Sequence, residues 1–378
     1  YDRLLKIWSL DGEPLATIPG HEGRIHTAQF DPKGQLIVSA SADKTVRMWD
    51  LSNPMLKSYL GPDESITDID INAYGRVIAA VSDDSGLYLW DRINRRLIRR
   101  IDHPAPVGSV AISPSGTEVV TGSQDGRGRL WSVQGELLAT LKGHMQPVLD
   151  VAFSPDGELI ATASADGTLR LWNRQGNLLK ILIGHSTQAR SVVFSSDGER
   201  LLSSSLDGTA RLWTLDGTLI QVFRSYGNSG LTDAEFSPGG KRVAAGGSDG
   251  VTTLWSIDGK LIKTLEGHEQ EIRSLEFSHD GRQIVTASGD GTVRVWQGKS
   301  GEFITTLSDG PGAVWDAMFV PGDRAIISAG ESKEVSLWDL DAVLDEELLL
   351  SVSCQWVDDY LRNGETVENR HLCDDFQS

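Results

Sequence analysis

Nine tryptophans stand at a nearly constant interval: Trp8, Trp49, Trp90, Trp131, Trp172, Trp213, Trp255, Trp296 and Trp338, each 41 or 42 residues from the next. A chain that returns to the same residue with that regularity builds one supersecondary unit repeatedly, and the unit must bury its apolar faces against its neighbours. The 378 residues exceed what one hydrophobic core usually serves, and an array of stacked units meets that limit.

The most regular unit runs from His144 to Leu182. Short runs rich in Val, Leu, Ile and Thr, at Val148 to Phe153, Glu158 to Ala163, Thr168 to Trp172 and Asn177 to Leu182, are punctuated by Ser154-Pro155-Asp156-Gly157, Ala165-Asp166-Gly167 and Gln175-Gly176. Runs of five or six such residues, joined by turns whose glycine accepts positive φ, predict a four-stranded antiparallel meander. Trp172 closes the third strand.

Gly-His dipeptides occur at Gly20-His21, Gly143-His144, Gly184-His185 and Gly267-His268, and Trp-Asp dipeptides at Trp49-Asp50, Trp90-Asp91 and Trp338-Asp339. With the period, they make residues 1–340 resemble the WD-repeat (WD40) family. The resemblance implies an all-β propeller of four-stranded blades. Eight units ending at Trp49 through Trp338, with Pro14 to Ile18 lent to the last as its fourth strand, give the favoured eight-bladed ring and leave residues 1–8 surplus. The alternative is a seven-bladed ring closing on Met55 to Leu60, with the first fifty residues left from a preceding propeller.

Five units share a His 28 residues, a Ser 8 residues and an Asp 6 residues before the Trp, as in His21/Ser41/Asp43, His103/Ser123/Asp125, His144/Ser164/Asp166, His185/Ser205/Asp207 and His268/Ser288/Asp290. A hydrolase triad uses these residue types once per site, whereas a set recurring in most units is structural. The WD-repeat resemblance implies that the four side chains form a hydrogen-bonded staple. The units ending at Trp90, Trp255 and Trp338 lack part or all of the set and are expected to be looser.

The strand beginning at Asp91 carries Arg92, Arg95, Arg96, Arg99 and Arg100, either to blunt an exposed edge or to dock an acidic partner. Residues 341–378 lose the period. From Asp339 onward eleven acidic residues face Arg362 and Arg370, half of the net charge of -18. Leu350, Cys354, Val357 and Leu361 recur at helical spacing, which predicts an acidic helical tail packed on the propeller. The pattern from Cys354 to Asn363, followed by Arg370 to Cys373, resembles the end of large bacterial WD-repeat proteins. That resemblance implies an upstream STAND- or NACHT-type effector domain missing from this segment, which opens on Tyr1 inside a strand.

The acidic balance disfavours nucleic acid and anionic membrane surfaces as partners. Two cysteines, Cys354 and Cys373, supply no disulfide framework, which with the lack of glycosylation sequons points to a cytoplasmic setting. No phosphate loop or nucleophile elbow occurs, His21 to His26 is one residue too long for a zinc helix motif, and Cys354, His371 and Cys373 match no common zinc module. No cofactor and no metal is expected. A propeller can instead display one side chain per blade around its channel mouth. The second position of each first strand gives His26, Thr67, Gly108, Leu149, Arg190, Thr232, Arg273 and Trp315, with Arg24 and Glu271 among the residues two earlier. Arg24, His26, Arg190, Glu271, Arg273 and Trp315 are the candidate contacts for a protein or peptide ligand; Trp315 alternatively plugs the channel. The reading is a non-enzymatic scaffold or sensor arm of a larger signalling protein, with a channel-mouth enzyme or a structural spacer as alternatives.

Overall fold

A computed structural model describes residues 96–308 without a break and, on either side, the strands with a few adjoining residues between Leu4 and Asp339. The expected acidic helix, with Cys354, His371 and Cys373, lies outside the described residues.

Among the described residues, the strands gather into seven four-stranded sheets, one three-stranded sheet and one two-stranded sheet, every pair antiparallel and every four-stranded sheet ordered as the chain runs. The Trp172 sheet consists of Val148–Phe153, Leu159–Ser164, Thr168–Asn173 and Leu178–Ile183, the expected strands displaced by a residue at some ends. Its turns rest on glycines with positive φ. Gly167 is needed twice over: its φ is +79°, and a Cβ there would lie 2.8 Å from the carbonyl oxygen of Thr187 in the next connecting loop.

Apolar faces of successive sheets close on each other. Val120, Leu130 and Leu141 of one sheet pack with Val148, Val151, Ile160 and Trp172 of the next, and Ala161, Leu171 and Leu182 of that sheet pack with Ala189, Leu201 and Trp213 of the following one. Trp90, Trp131, Trp255 and Trp296 take the same place, each against the preceding sheet. Truncating an indole so enclosed costs about 3–5 kcal/mol, which explains why the period is carried by Trp. The fold is a WD40-type β-propeller.

The first and last sheets also meet: Ile25–Phe30 lies against Ile66–Ile71 on one side and against Val314–Phe319 and Ala325–Gly330 on the other. One expectation is corrected. Pro14–Pro19 pairs with Leu4–Trp8 in a separate two-stranded sheet, and Leu4–Trp8 rather than Pro14–Pro19 lies beside Val335–Asp339. Leu4–Trp8 is itself a third strand ending on Trp, so its nearest partner in sequence is the fourth strand that follows, and the short loop wins over the long closure.

Candidate functional site

The repeated polar sets are consumed inside the blades. His144 bonds through Nδ1 to Oδ2 of Asp166 at 2.9 Å and through Nε2 to the hydroxyl of Thr162 at 2.8 Å, and Trp172 donates its indole N–H to the same hydroxyl at 3.0 Å. Because a carboxylate only accepts, the His144 proton sits on Nδ1 and the Thr162 hydroxyl donates to Nε2. Asp166 also accepts from the amide of Met145 and from the amide and hydroxyl of Thr168. Burial pushes its carboxyl up, but these donors outweigh burial and hold it at about 2. The His185 and His268 sets repeat the pattern through Ser203 and Thr286.

The serine of the set takes a separate place. Ser164 accepts from the amide of Asp166 and donates to the carbonyl of Gln146, fixing the turn rather than the tryptophan. The hub is the hydroxyl ten residues before each Trp: Thr121, Thr162, Ser203 and Thr286. The units ending at Trp90 and Trp255, which lack the His, carry Ala80 and Ala245 there. The glycine of Gly-His has a physical reason as well. A Cβ on Gly143, Gly184 or Gly267 would collide with the guanidinium of Arg170, Arg211 or Arg294 respectively.

In the unit ending at Trp131, His103 keeps Thr121 at 3.0 Å, but Asp125 turns away to Arg129, accepting from its NH1 at 3.3 Å and its NH2 at 2.6 Å. His103 Nδ1 is buried without a hydrogen-bond partner. Burial, reinforced by the Arg129 charge, holds this imidazole down at about 4.

A second polar system lines the centre. The first strand of each sheet is an edge strand, and the amides on its channel side have no ladder partner, a demand that the preceding blade meets. Asp68 accepts from Val110 N–H at 2.9 Å, Asp150 from Val192 at 2.8 Å and Asp233 from Leu275 at 3.2 Å, while Ser109 and Ser274 accept from Val151 and Ala317. Two residues further along, Asp70 caps Ile112 and Glu276 caps Phe319. The third position of the eight first strands therefore reads Thr27, Asp68, Ser109, Asp150, Ser191, Asp233, Ser274, Asp316, a strict alternation of hydroxyl and carboxylate. Burial raises Asp150 and Asp233 to about 6 and Glu276 to about 8. Glu235 is driven up by burial and by the neighbouring Asp233 and Glu276. Among the described residues, no group of three or more His, Cys, Asp or Glu is arranged to hold a metal ion.

The candidate contact ring coincides with a bulge. In every first strand the register shifts across the second residue, which is Leu149, Arg190, Thr232, Arg273 and Trp315 in the later sheets and His26, Thr67 and Gly108 in the earlier ones. A bulge inserts an unpaired residue and re-aims its side chain. Three candidates come together: the Arg273 guanidinium lies 4.2 Å from the centre of the Trp315 ring and pairs with Glu271. Arg190 is exposed on another blade, where its charge offsets a small part of the burial that raises Asp150. Arg24 and the side chain of His26 lie outside the described residues. The arginine-rich strand is Arg96–Asp102, where Arg99 donates to the Gln134 carbonyl and Arg100 pairs with Asp84 and Asp102.

This architecture agrees with what the chain matches. The family model described as IFT122 first beta-propeller aligns with residues 1–256. The chain belongs to that family. Within this propeller family member, residues 259–297, the unit ending at Trp296, also match the WD domain, G-beta repeat. The crystal structure of the computationally designed Ika8 protein is similar at 25% identity with a TM-score of 0.76, over 85% of this chain and 98% of that one. No curated protein matches. WD-repeat propellers generally mediate protein–protein interaction. No helix among the described residues is long and apolar enough to cross a membrane.

Proposed function

We propose that this propeller is a non-catalytic recognition module that binds a protein or peptide across its loop face, with Arg190, Glu271, Arg273 and Trp315 at the channel mouth as contacts and Arg24 and His26 completing the ring. The observation that carries it is the half-buried assembly of Glu271, Arg273 and Trp315, drawn from two sheets and stacked at a bulge, where Arg and Trp are the usual anchors of an interface. The internal use of the His, Asp and Thr sets supports a non-enzymatic role, since their geometry is spent on holding loops.

Closure as an eight-bladed ring belongs to the same proposal. With eight blades Asp316 neighbours the Thr27 strand and the alternation continues, in keeping with the contact between first and last sheets, whereas seven would set Asp316 against Asp68. A role as the sensor arm of a larger cytoplasmic signalling protein, with an effector domain upstream, is supported by the tail pattern alone. The test is a pull-down with Trp315→Ala and Arg273→Glu. Loss of the captured partner at unchanged thermal stability supports the mouth, and undiminished capture by both variants rejects it.

A further inference from the structure

The three most exposed large apolar side chains among the described residues, Met145 at 89%, Ile183 at 75% and Tyr226 at 62%, all lie on the loop face, together with Leu206 at 40%. They form one connected arc. The amide of Met145 bonds Asp166, the Asp166 carboxylate holds Thr168, and Thr168 is the register partner of Ile183. Two residues beyond Ile183, His185 bonds Asp207, the neighbour of Leu206. The amide of Ser225, just before Tyr226, bonds Gly208.

Equivalent places in the other blades between residues 96 and 308 are polar, small or rigid, whereas Leu60 keeps a large apolar residue at the Ile183 place in the Trp49 sheet. Pro104, Ser186 and Glu269 stand where Met145 does, Lys142 and Arg224 where Ile183 does, and Gln124, Ala165, Ser248 and Gly289 where Leu206 does. Large apolar residues are thus concentrated over consecutive blades, in a sector whose carboxylates Asp166 and Asp207 are committed to staples. Lys142 and Arg224, both exposed, flank Ile183 from the two adjoining blades, and the arc ends at exposed Asp249. Exposed apolar side chains spread over consecutive blades, with cations beside them on a chain of net charge -18, have a defined complement.

We propose that this sector is a second docking surface, separate from the channel mouth and independent of it, for a partner-protein segment that presents large apolar side chains between acidic ends. The apolar side chains cover Met145, Ile183, Leu206 and Tyr226, and the acidic ends meet Lys142 and Arg224.

The test is fluorescence anisotropy of the full chain with three dye-labelled synthetic peptides: one with a Leu/Phe face and Glu at both ends, one with Lys at both ends, and one with the apolar face changed to Ser. Saturable binding of the first alone is expected. Met145→Ser with Ile183→Ser should weaken it about tenfold or more, Lys142→Glu with Arg224→Glu should shift preference to the Lys-ended peptide, and Trp315→Ala should leave binding unchanged. Failure to bind the Glu-ended peptide, equal binding of the Ser-faced one, or indifference to the Met145/Ile183 pair overturns the proposal. So does a concentration-dependent dimer in sedimentation that Ile183→Ser abolishes, which would make a second copy of this chain the occupant.

Discussion

The staples at His144 and His103 use the same four residue types and reach different ends. In the first, the carboxylate of Asp166 gathers the imidazole, a following amide and a threonine. In the second, three neighbours have changed together. Asp102 replaces the glycine that gives the arginine room, Pro104 has no amide to offer, and Arg127 stands where Thr168 does. Deprived of two donors, Asp125 takes the buried Arg129, and His103 is left with half its bonds. The contrast teaches that the staple is a competition for one carboxylate, decided by residues on either side of the motif.

The largest effect expected from this contrast is on the arginine-held side. Asp125→Ala leaves Arg129 buried and uncompensated and should cost about 3–5 kcal/mol in denaturant unfolding, with Arg129→Leu restoring most of it; a cost no greater than that of Asp166→Ala would break the comparison. Next comes the hub. Thr162→Val strands the indole N–H of Trp172 and Nε2 of His144 and should cost about 2–4 kcal/mol, while Thr121→Val should cost less because His103 has no carboxylate to hold it in place.

The pH profile separates the staples from the channel. The His103 pKa is depressed from 6.5 to about 4, so the stability it contributes is present above pH 6.5 and is lost as the pH falls toward 4. Glu276 is raised from 4.5 to about 8, so its contribution is full below pH 4.5 and lost as the pH rises through 8. Melting temperature measured against pH should show Glu276→Gln flattening the alkaline limb and leaving the acid limb in place. The smallest change is a restoration. Asp102→Gly, Pro104→Ser and Arg127→Thr together should return Asp125 to His103, raise the imidazole pKa seen by NMR and add about 1 kcal/mol; an unmoved pKa would show that Arg129 holds the carboxylate regardless of its neighbours.

The propeller was legible because its period is written in tryptophan, a residue large enough that each sheet needs one against the sheet before it. The polar staple was legible as a pattern, but its hub, the hydroxyl ten residues before each Trp, was not among the residue types that the pattern picked out. Ser164 is the more regular residue in the sequence, but the hub varies between Thr and Ser, and of the three units without the histidine two carry Ala80 and Ala245 there while the third keeps Ser328. That partial pairing was the signal available. The seam acids were not legible, because their role depends on which amides an edge strand leaves unpaired, a fact set by register and by neighbouring blades. Of the candidate contacts, the bulge placed Arg273 and Trp315 together, while exposed Met145 and Ile183 drew no notice among ordinary strand and loop residues.

If the ring closes on eight blades, as proposed, the central alternation of hydroxyl and carboxylate gives it a parity. Adding or removing a single unit would bring two acids, or two alcohols, face to face at one joint, whereas gaining or losing units two at a time leaves every joint as it was. Chains built on this scheme should therefore vary in length by even steps, with the two-sheet block rather than the lone sheet as the heritable part.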